Sequence, residues 1–326
     1  MNLVSFLIWQ ADLWVNSKKT EKTILENISF EGIITKSTGG LYTVEKQDGT
    51  YEECRAKGAF RHSKITPLAG DRVTFEKDEG KEGFITKIHD RKNSLIRPAV
   101  ANVDLLCVVI AAKNPDPDLF ILDKLCAVAK NNDIEVLLIV NKDDIGDSDE
   151  ISGIYTKAGF KVVPMCATNP EGYEKSIETI RNEAKNKISF FTGASGVGKS
   201  SVLNAVYPEL SLETGEISKK IQRGKHTTRV TTLFKMDDNT YVGDTPGFSM
   251  LDVVGFSMLD SEGLLSCFPD IEKYALDCKY KKCTHVCEDG CNVMKALEEG
   301  DISPSRHESY KVLFNELKEV KPWENK

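Results

Sequence analysis

The residues best placed to do chemistry lie at 193–200. Gly193-Ala194-Ser195-Gly196-Val197-Gly198-Lys199-Ser200 has the spacing GxxxxGK[ST]. Glycines at that spacing let successive backbone N–H groups wrap a string of phosphates. Lys199 can then reach the β- and γ-phosphates, and the Ser200 hydroxyl can ligate Mg²⁺. A helix starting at Lys199 adds its positive dipole end. Downstream, Asp244-Thr245-Pro246-Gly247 follows the strand-like TYVGD. In a nucleotide hydrolase an Asp at a strand end holds the magnesium shell, and the Gly247 N–H can sense the γ-phosphate.

A second set reads the base. Asn141-Lys142-Asp143-Asp144 has the pattern Asn-Lys-x-Asp and ends the apolar run VLLIV. A carboxylate at Asp144 accepts from both N1–H and the exocyclic amine of guanine. Adenine has no such donor pair, so a mismatched base leaves a charge unpaired. Asn141 is placed to tie this loop to the phosphate loop, and the Lys142 stem to lie over the base. Met165-Cys166-Ala167 ends the next apolar run. There the Ala167 N–H can contact the base oxygen, with Cys166 where guanine-binding proteins usually carry Ser.

Between the phosphate loop and Asp244 lies Gly224-Lys225-His226-Thr227-Thr228-Arg229. A Thr in such a loop can complete the magnesium shell, and Thr228 and Thr227 both qualify. Many GTPases orient the attacking water with a Gln just after the DxxG motif. Here that position is Phe248, so another group of the chain takes the role or a partner supplies it, and His226 is the nearest candidate in sequence. Separately, Cys278-x4-Cys283-x-His285-x5-Cys291 offers three thiolates and one imidazole in 14 residues. That set satisfies tetrahedral zinc with no open position, a structural and not a catalytic site. Cys287 is a spare thiol that could replace a ligand.

These motifs need elements to hold them. Residues 30–97 read as five short alternating strands: FEGIITKS, GLYTVEKQ, TYEECRAK, DRVTFEKD and GFITKIHD. Five such strands fit a small closed barrel of the oligonucleotide/oligosaccharide-binding (OB) type, and periodicity fits an SH3-like barrel about as well. From about residue 100, apolar runs alternate with helical stretches, the grammar of a parallel sheet. The expected strands are 103–112, 136–142, 161–165 and 188–193, with short β segments near 229–244. The expected helices are 119–132, 149–158, 173–184 and 199–206. The guanine-reading loop thus precedes the phosphate loop, the reverse of the common order. All the strands are supplied, so only the position of the chain ends has moved. After about residue 262 a cysteine cluster and a charged helix at 303–320 follow.

With 326 residues, 40% hydrophobic and 29% charged, the chain has the composition of a soluble globular protein. Its net charge of −7 excludes a polycation that coats nucleic acid. Residues 55–97 nevertheless hold eleven Lys and Arg against six Asp and Glu, a basic module that can bind RNA. The apolar start lacks a basic leader and a cleavage site, and is too short to span a bilayer. A cytoplasmic location with reduced thiols is expected.

Taken together, these residues resemble the RsgA (YjeQ/YloQ) family of circularly permuted GTPases. The likeness runs from residue 30 to about 320. It rests on RKNSLIRP-x-x-ANVD, NKDD, GASGVGKSS, RGKHTTR, DTPGF and the Cys/Cys/His/Cys spacing. The resemblance implies a multidomain α/β protein. An extension at 1–29 would precede an OB barrel at 30–97. A permuted P-loop GTPase domain at 98–262 and a helical zinc-binding domain at 263–326 would follow. It implies GTP/GDP and Mg²⁺ as ligands, one structural Zn²⁺, and the small ribosomal subunit with its rRNA as partner, in a monomer away from membranes. It implies a role in hydrolysis for the switch histidine, His226; Ser201 is counted with the nucleotide site, and Lys199 and Thr228 with the catalytic residues. Arg55, Lys57, Arg61, Lys64 and Arg72 would favour phosphate contacts, since the barrel offers few exposed aromatics. The rival is a nucleic-acid-binding P-loop nucleotide switch, for ATP or GTP, with no ribosomal role.

Overall fold

The computed structural model describes residues 29–58, 60, 65–77, 82–95, 99–212, 231–244, 259 and 261–319. Five strands come first: β1 (Ser29–Thr38), β2 (Leu41–Lys46), β3 (Tyr51–Ala56), β4 (Arg72–Glu76) and β5 (Gly83–Ile88). They pair in the order β1-β2-β3-β5-β4, and β4 returns to β1. All pairs are antiparallel except β3 with β5. A meander of hairpins contains no parallel pair, so the barrel is the OB Greek key and the SH3-like reading falls. Alternate positions turn Ile34, Val44, Cys54, Val73, Phe75 and Ile85 into a dry interior. A short hairpin, β6 (Ser94–Leu95) with β7 (Val100–Ala101), leads out of the barrel. Its exit is fastened back: Asn102 Nδ2 donates to Gly70 O at 2.9 Å.

The α/β part runs β8 (Leu105–Ala111), α1 (Leu119–Asn131), β9 (Glu135–Asn141), α2 (Asp149–Lys157), β10 (Lys161–Met165) and α3 (Glu174–Ala184). It continues with β11 (Ile188–Thr192), α4 (Lys199–Val206), β12 (Thr232–Asp237) and β13 (Thr240–Asp244). The sheet order is β10-β9-β8-β11-β13-β12, parallel except for β12. Strands β8 and β11 are buried at every position. Unbroken apolar runs of this kind belong in a sheet covered on both faces, and two hydrophobic clusters cover this one. Asp118 caps α1 by accepting from Ile121 N at 3.0 Å.

The two sheets are continuous. Lys36 of β1 lies opposite Thr232 of β12. The pair Lys235–Glu45, at 2.6 Å, crosses the same seam. Beyond the sheet come a 3-10 turn at Gly263–Cys267, α5 (Pro269–Ala275), α6 (Asn292–Glu298) and α7 (Pro304–Glu319). Their core of Leu264, Phe268, Ile271, Val293, Tyr310 and Leu313 takes in Ala127, with Phe120 and Val128 packed against it. These three belong to α1, so the C-terminal helices do not own their core outright. Among the described residues no helix is long and apolar enough to cross a membrane.

One buried cation anchors that packing. Arg306 of α7 donates from Nη1 to Asp123 of α1 and from Nη2 to Asp270 of α5, both at 2.7 Å. Tyr155 of α2 also donates to Asp123, at 2.7 Å. The guanidinium lies 4.4 Å from the Phe268 ring centroid. Burial disfavours the charge on Arg306, yet the two carboxylates hold its pKa above the ordinary value.

Candidate nucleotide site and metal centre

Among the described residues, the loops that sequence assigns to phosphate and base leave the carboxyl edge of the parallel sheet, where such sheets bind ligands. The phosphate-loop strand β11 sits between β8 and β13. Asp244 ends β13 in register with Phe191, two residues before Gly193. The backbone thus brings the DTPG start beside the phosphate loop, as its spacing predicts. The Asp244 side chain, Gly247, Phe248, His226, Thr227 and Thr228 lie outside the described residues, as do Arg61 and Lys64.

The loop from Gly193 to Gly198 is shaped by close approaches. A Cβ on Gly193 would stand 2.3 Å from Val109 O. Gly196 and Gly198 hold φ of +85° and +90°, a region that only glycine enters freely. A Cβ on Gly198 would also stand 2.4 Å from Asn141 Nδ2. Such left-handed turns let consecutive N–H groups converge on an anion. Lys199 and Ser200 then open α4, half-buried at its first turn, with Ser201 beside them. Gly198→Ala combines backbone strain with a clash on Asn141. It is expected to lower GTP affinity on the order of 100-fold, checked by titration with a fluorescent GTP analogue. Affinity within threefold of the parent would contradict this geometry.

Asn141 is the hinge of the site. Its Nδ2 donates to Val197 O at 2.8 Å, inside the phosphate loop. Its Oδ1 accepts from Ala167 N at 3.0 Å, in the loop after β10. One buried side chain therefore joins the three loops that sequence assigns to phosphate and base. Lys142, at φ +64°, donates from Nζ to Gly196 O at 2.7 Å and to Asn114 O. Asp144 is exposed. Cys166 is buried, with its Sγ 3.5 Å from Thr168 Oγ1.

Three contributors were not evident from the motifs. The loop after β8 reaches the site through Asn114. Asp143, the variable position of Asn-Lys-x-Asp, accepts from Ser148 Oγ and, at 2.9 Å, from Tyr173 OH. That second bond comes first among the causes that push the Tyr173 phenol up to about 12. It cross-ties the base-reading loop to the start of α3. A polar residue in a loop gives no sequence signal of its partner, so only geometry reveals these ties.

On the barrel, Arg55 pairs with Glu82 at 2.6 Å and Lys57 with Glu76 at 2.8 Å. These cations are engaged within the barrel, although exposed pairs are weak enough to exchange for phosphate. Tyr51 and Phe84 are exposed on neighbouring strands, where few aromatics were expected.

The Cys₃His set converges. One ligand atom from each of Cys278, Cys283, His285 and Cys291 lies within 4.8 Å of the others. Cys278 Sγ is 3.7 Å from Cys291 Sγ and 3.5 Å from His285 Nδ1, and Cys291 Sγ is 3.6 Å from that nitrogen. Zinc–sulfur bonds of 2.3 Å at tetrahedral angles require separations of about 3.8 Å, so the donors fit that ion. Burial lowers the His285 pKa, which keeps the imidazole neutral and able to ligate. Cys287 is exposed and outside the cluster, so it is not needed as a replacement ligand.

Known proteins match the barrel and the nucleotide-binding part of this chain. A family profile described as RsgA N-terminal domain covers residues 31–85, and one described as RsgA GTPase covers 88–254. A third, 50S ribosome-binding GTPase, covers 189–321. The small ribosomal subunit biogenesis GTPase RsgA of Ruminiclostridium cellulolyticum is 40% identical over 301 residues, 90% of this chain and 96% of the relative. Its namesake from Bacillus cereus is 38% identical over 298 residues, 90% of this chain and 99% of the relative. Among solved structures, YjeQ from Thermotoga maritima aligns with a TM-score of 0.74 at 34% identity, covering 90% of this chain and all of that one. YloQ, described as a circularly permuted GTPase, aligns at 0.71 and 31%, covering 90% of this chain and 97% of that one. With its own guanine-reading loop ahead of its phosphate loop, the chain belongs to the RsgA family of GTPases.

Proposed function

We propose that this protein hydrolyses GTP while bound to the small ribosomal subunit and couples hydrolysis to the late maturation of that subunit. The observation that carries the GTP part is the Asn141 side chain, bonded to both Val197 O and Ala167 N. It sets base and phosphate recognition at a fixed separation. The ribosomal part rests on what the relatives are named for.

The roles follow from the chemistry. Gly193, Ala194, Ser195, Gly196, Val197, Gly198, Lys199, Ser200 and Ser201 cradle the phosphates. Asn141, Lys142, Asp144, Cys166 and Ala167 hold guanine. Ser200, Thr228 and Asp244 hold Mg²⁺, which supplies charge neutralisation at the β- and γ-phosphates. Gly247 senses the γ-phosphate. Cys278, Cys283, His285 and Cys291 hold one structural zinc. The OB barrel contacts rRNA, and the protein acts in the cytoplasm as a monomer. We keep 1–29, 30–97, 98–262 and 263–326 as its working divisions.

The experiment is competition for the site between GTP and ATP, in which GTP should win by orders of magnitude. Equal affinity would overturn the guanine reading. For catalysis, His226→Ala should slow single-turnover hydrolysis on the order of 10²- to 10⁴-fold, the range of a lost proton-transfer group, with nucleotide affinity unchanged. An unchanged rate would remove His226 from the chemistry.

A further inference from the structure

The turn that carries the metal-ligating His285 is held from outside its ligand set. Glu288 accepts from Thr284 N at 2.7 Å and from Thr284 Oγ1 with one oxygen. Its other oxygen accepts from Val286 N at 3.1 Å and Cys287 N at 3.2 Å. One carboxylate therefore gathers three backbone N–H groups and a hydroxyl, closing the turn between Cys283 and Cys291.

The opposite side of the same turn is held by α7. His307 is buried, and its Nε2 lies 2.8 Å from His285 O. A carbonyl only accepts, so His307 is the donor and its tautomer is fixed. Tyr310 OH donates to Thr284 O at 3.2 Å. Both carbonyls precede or belong to His285, whose φ is +61°. A non-glycine residue in that region persists only when its surroundings over-determine it. Helix α7 is itself a rigid support, because Arg306, one residue before His307, is fastened to Asp123 and Asp270.

We propose that Glu288, His307 and Tyr310 are positioning residues for the metal centre, holding residues 284–288 in ligating shape without touching the ion. The inference rests on the zinc reading above. Groups of this kind beyond the ligands orient them, and their removal typically lowers metal affinity 10- to 100-fold.

The test uses the full-length chain. Zinc stoichiometry is measured first, then affinity by competition with a chromophoric chelator, for the parent, Glu288→Gln and Tyr310→Phe. Glu288→Gln keeps the shape but brings an amide N–H₂ against backbone donors. It should still bind one zinc, roughly 10- to 100-fold more weakly. Tyr310→Phe removes a single hydroxyl and should have a smaller effect of the same sign. Co²⁺ loaded in place of zinc reports ligand geometry through its visible absorption. At saturating Co²⁺ both variants should show a shifted tetrahedral spectrum, which a loss of stability alone does not produce. A parent chain that takes up no zinc overturns the metal reading and this inference with it. A parent that binds one zinc, beside variants of equal affinity and identical Co²⁺ spectrum, overturns the inference alone. Should Glu288→Gln fail to fold, Tyr310→Phe decides by the same two measurements.

Discussion

Arg306→Met is expected to destabilise the protein by about 3–5 kcal/mol, seen as a lower denaturant midpoint for the C-terminal helices. The side chain fills similar space, so packing is nearly conserved. What changes is charge: Asp123 and Asp270 remain buried without their cation. Burial already pushes the Asp123 carboxyl up, and Arg306 offsets that rise in part. Without Arg306 the folded pKa climbs further above the unfolded one. A group whose folded pKa is raised takes up a proton on folding, so its folded state gains as pH falls. The deficit of Arg306→Met relative to the parent should therefore be largest near pH 8 and shrink toward pH 5. A double variant that also carries Asp123→Asn should recover part of the loss, the signature of two coupled sites. A pH-independent loss, or none, would mean that the triad does not anchor the module. The same contact bears on communication. The chain after Asp244 leads into a module fastened to α1 by Arg306. Movement of the module with nucleotide state therefore has to carry α1 or break this triad.

Asp144→Asn is expected to weaken GTP binding on the order of 10²- to 10⁴-fold. Two charge-assisted hydrogen bonds to guanine become one neutral acceptor and one donor facing a donor. Xanthine carries a carbonyl where guanine has its amine, so the variant should instead bind XTP better than GTP. Titration of both nucleotides checks this. The geometry prepares Asp144 for the role indirectly. Asp143 beside it is occupied by Ser148 and Tyr173. The loop is fixed on both sides, by Asn141 and by Tyr173, while Asp144 itself stays exposed. Retained GTP affinity would place base recognition elsewhere.

Most of the fold was legible because its strands and helices have strong periodic signals. KVVPM and KSSVLNAV occur as β10 and α4 with the expected bounds. The barrel strands fall within two residues of expectation, since Gly-Gly and Asp-Gly turns mark their ends. Periodicity alone did not distinguish the barrel type, because the parallel β3–β5 pair depends on register between distant segments; the family resemblance did. Short helices α5 and α6 gave little periodicity over seven residues each. At the site, Asn141, Lys142 and the glycines follow from motif chemistry. The Asn114 carbonyl does not, because every residue has one, and Tyr173 and Glu288 do not, because a single polar side chain announces no partner. Arg306 was hidden for the same reason. In sequence it is one cation among many on a charged helix, and burial alone makes it an anchor.

The most direct test is multiple-turnover GTP hydrolysis with and without purified small ribosomal subunits. Stimulation of roughly tenfold or more, about 1.4 kcal/mol off the barrier, is the expected result. It should vanish with Lys199→Ala, which removes the phosphate-binding cation. A rate unaltered by saturating subunits would contradict a ribosome-coupled GTPase and leave only an isolated nucleotide hydrolase.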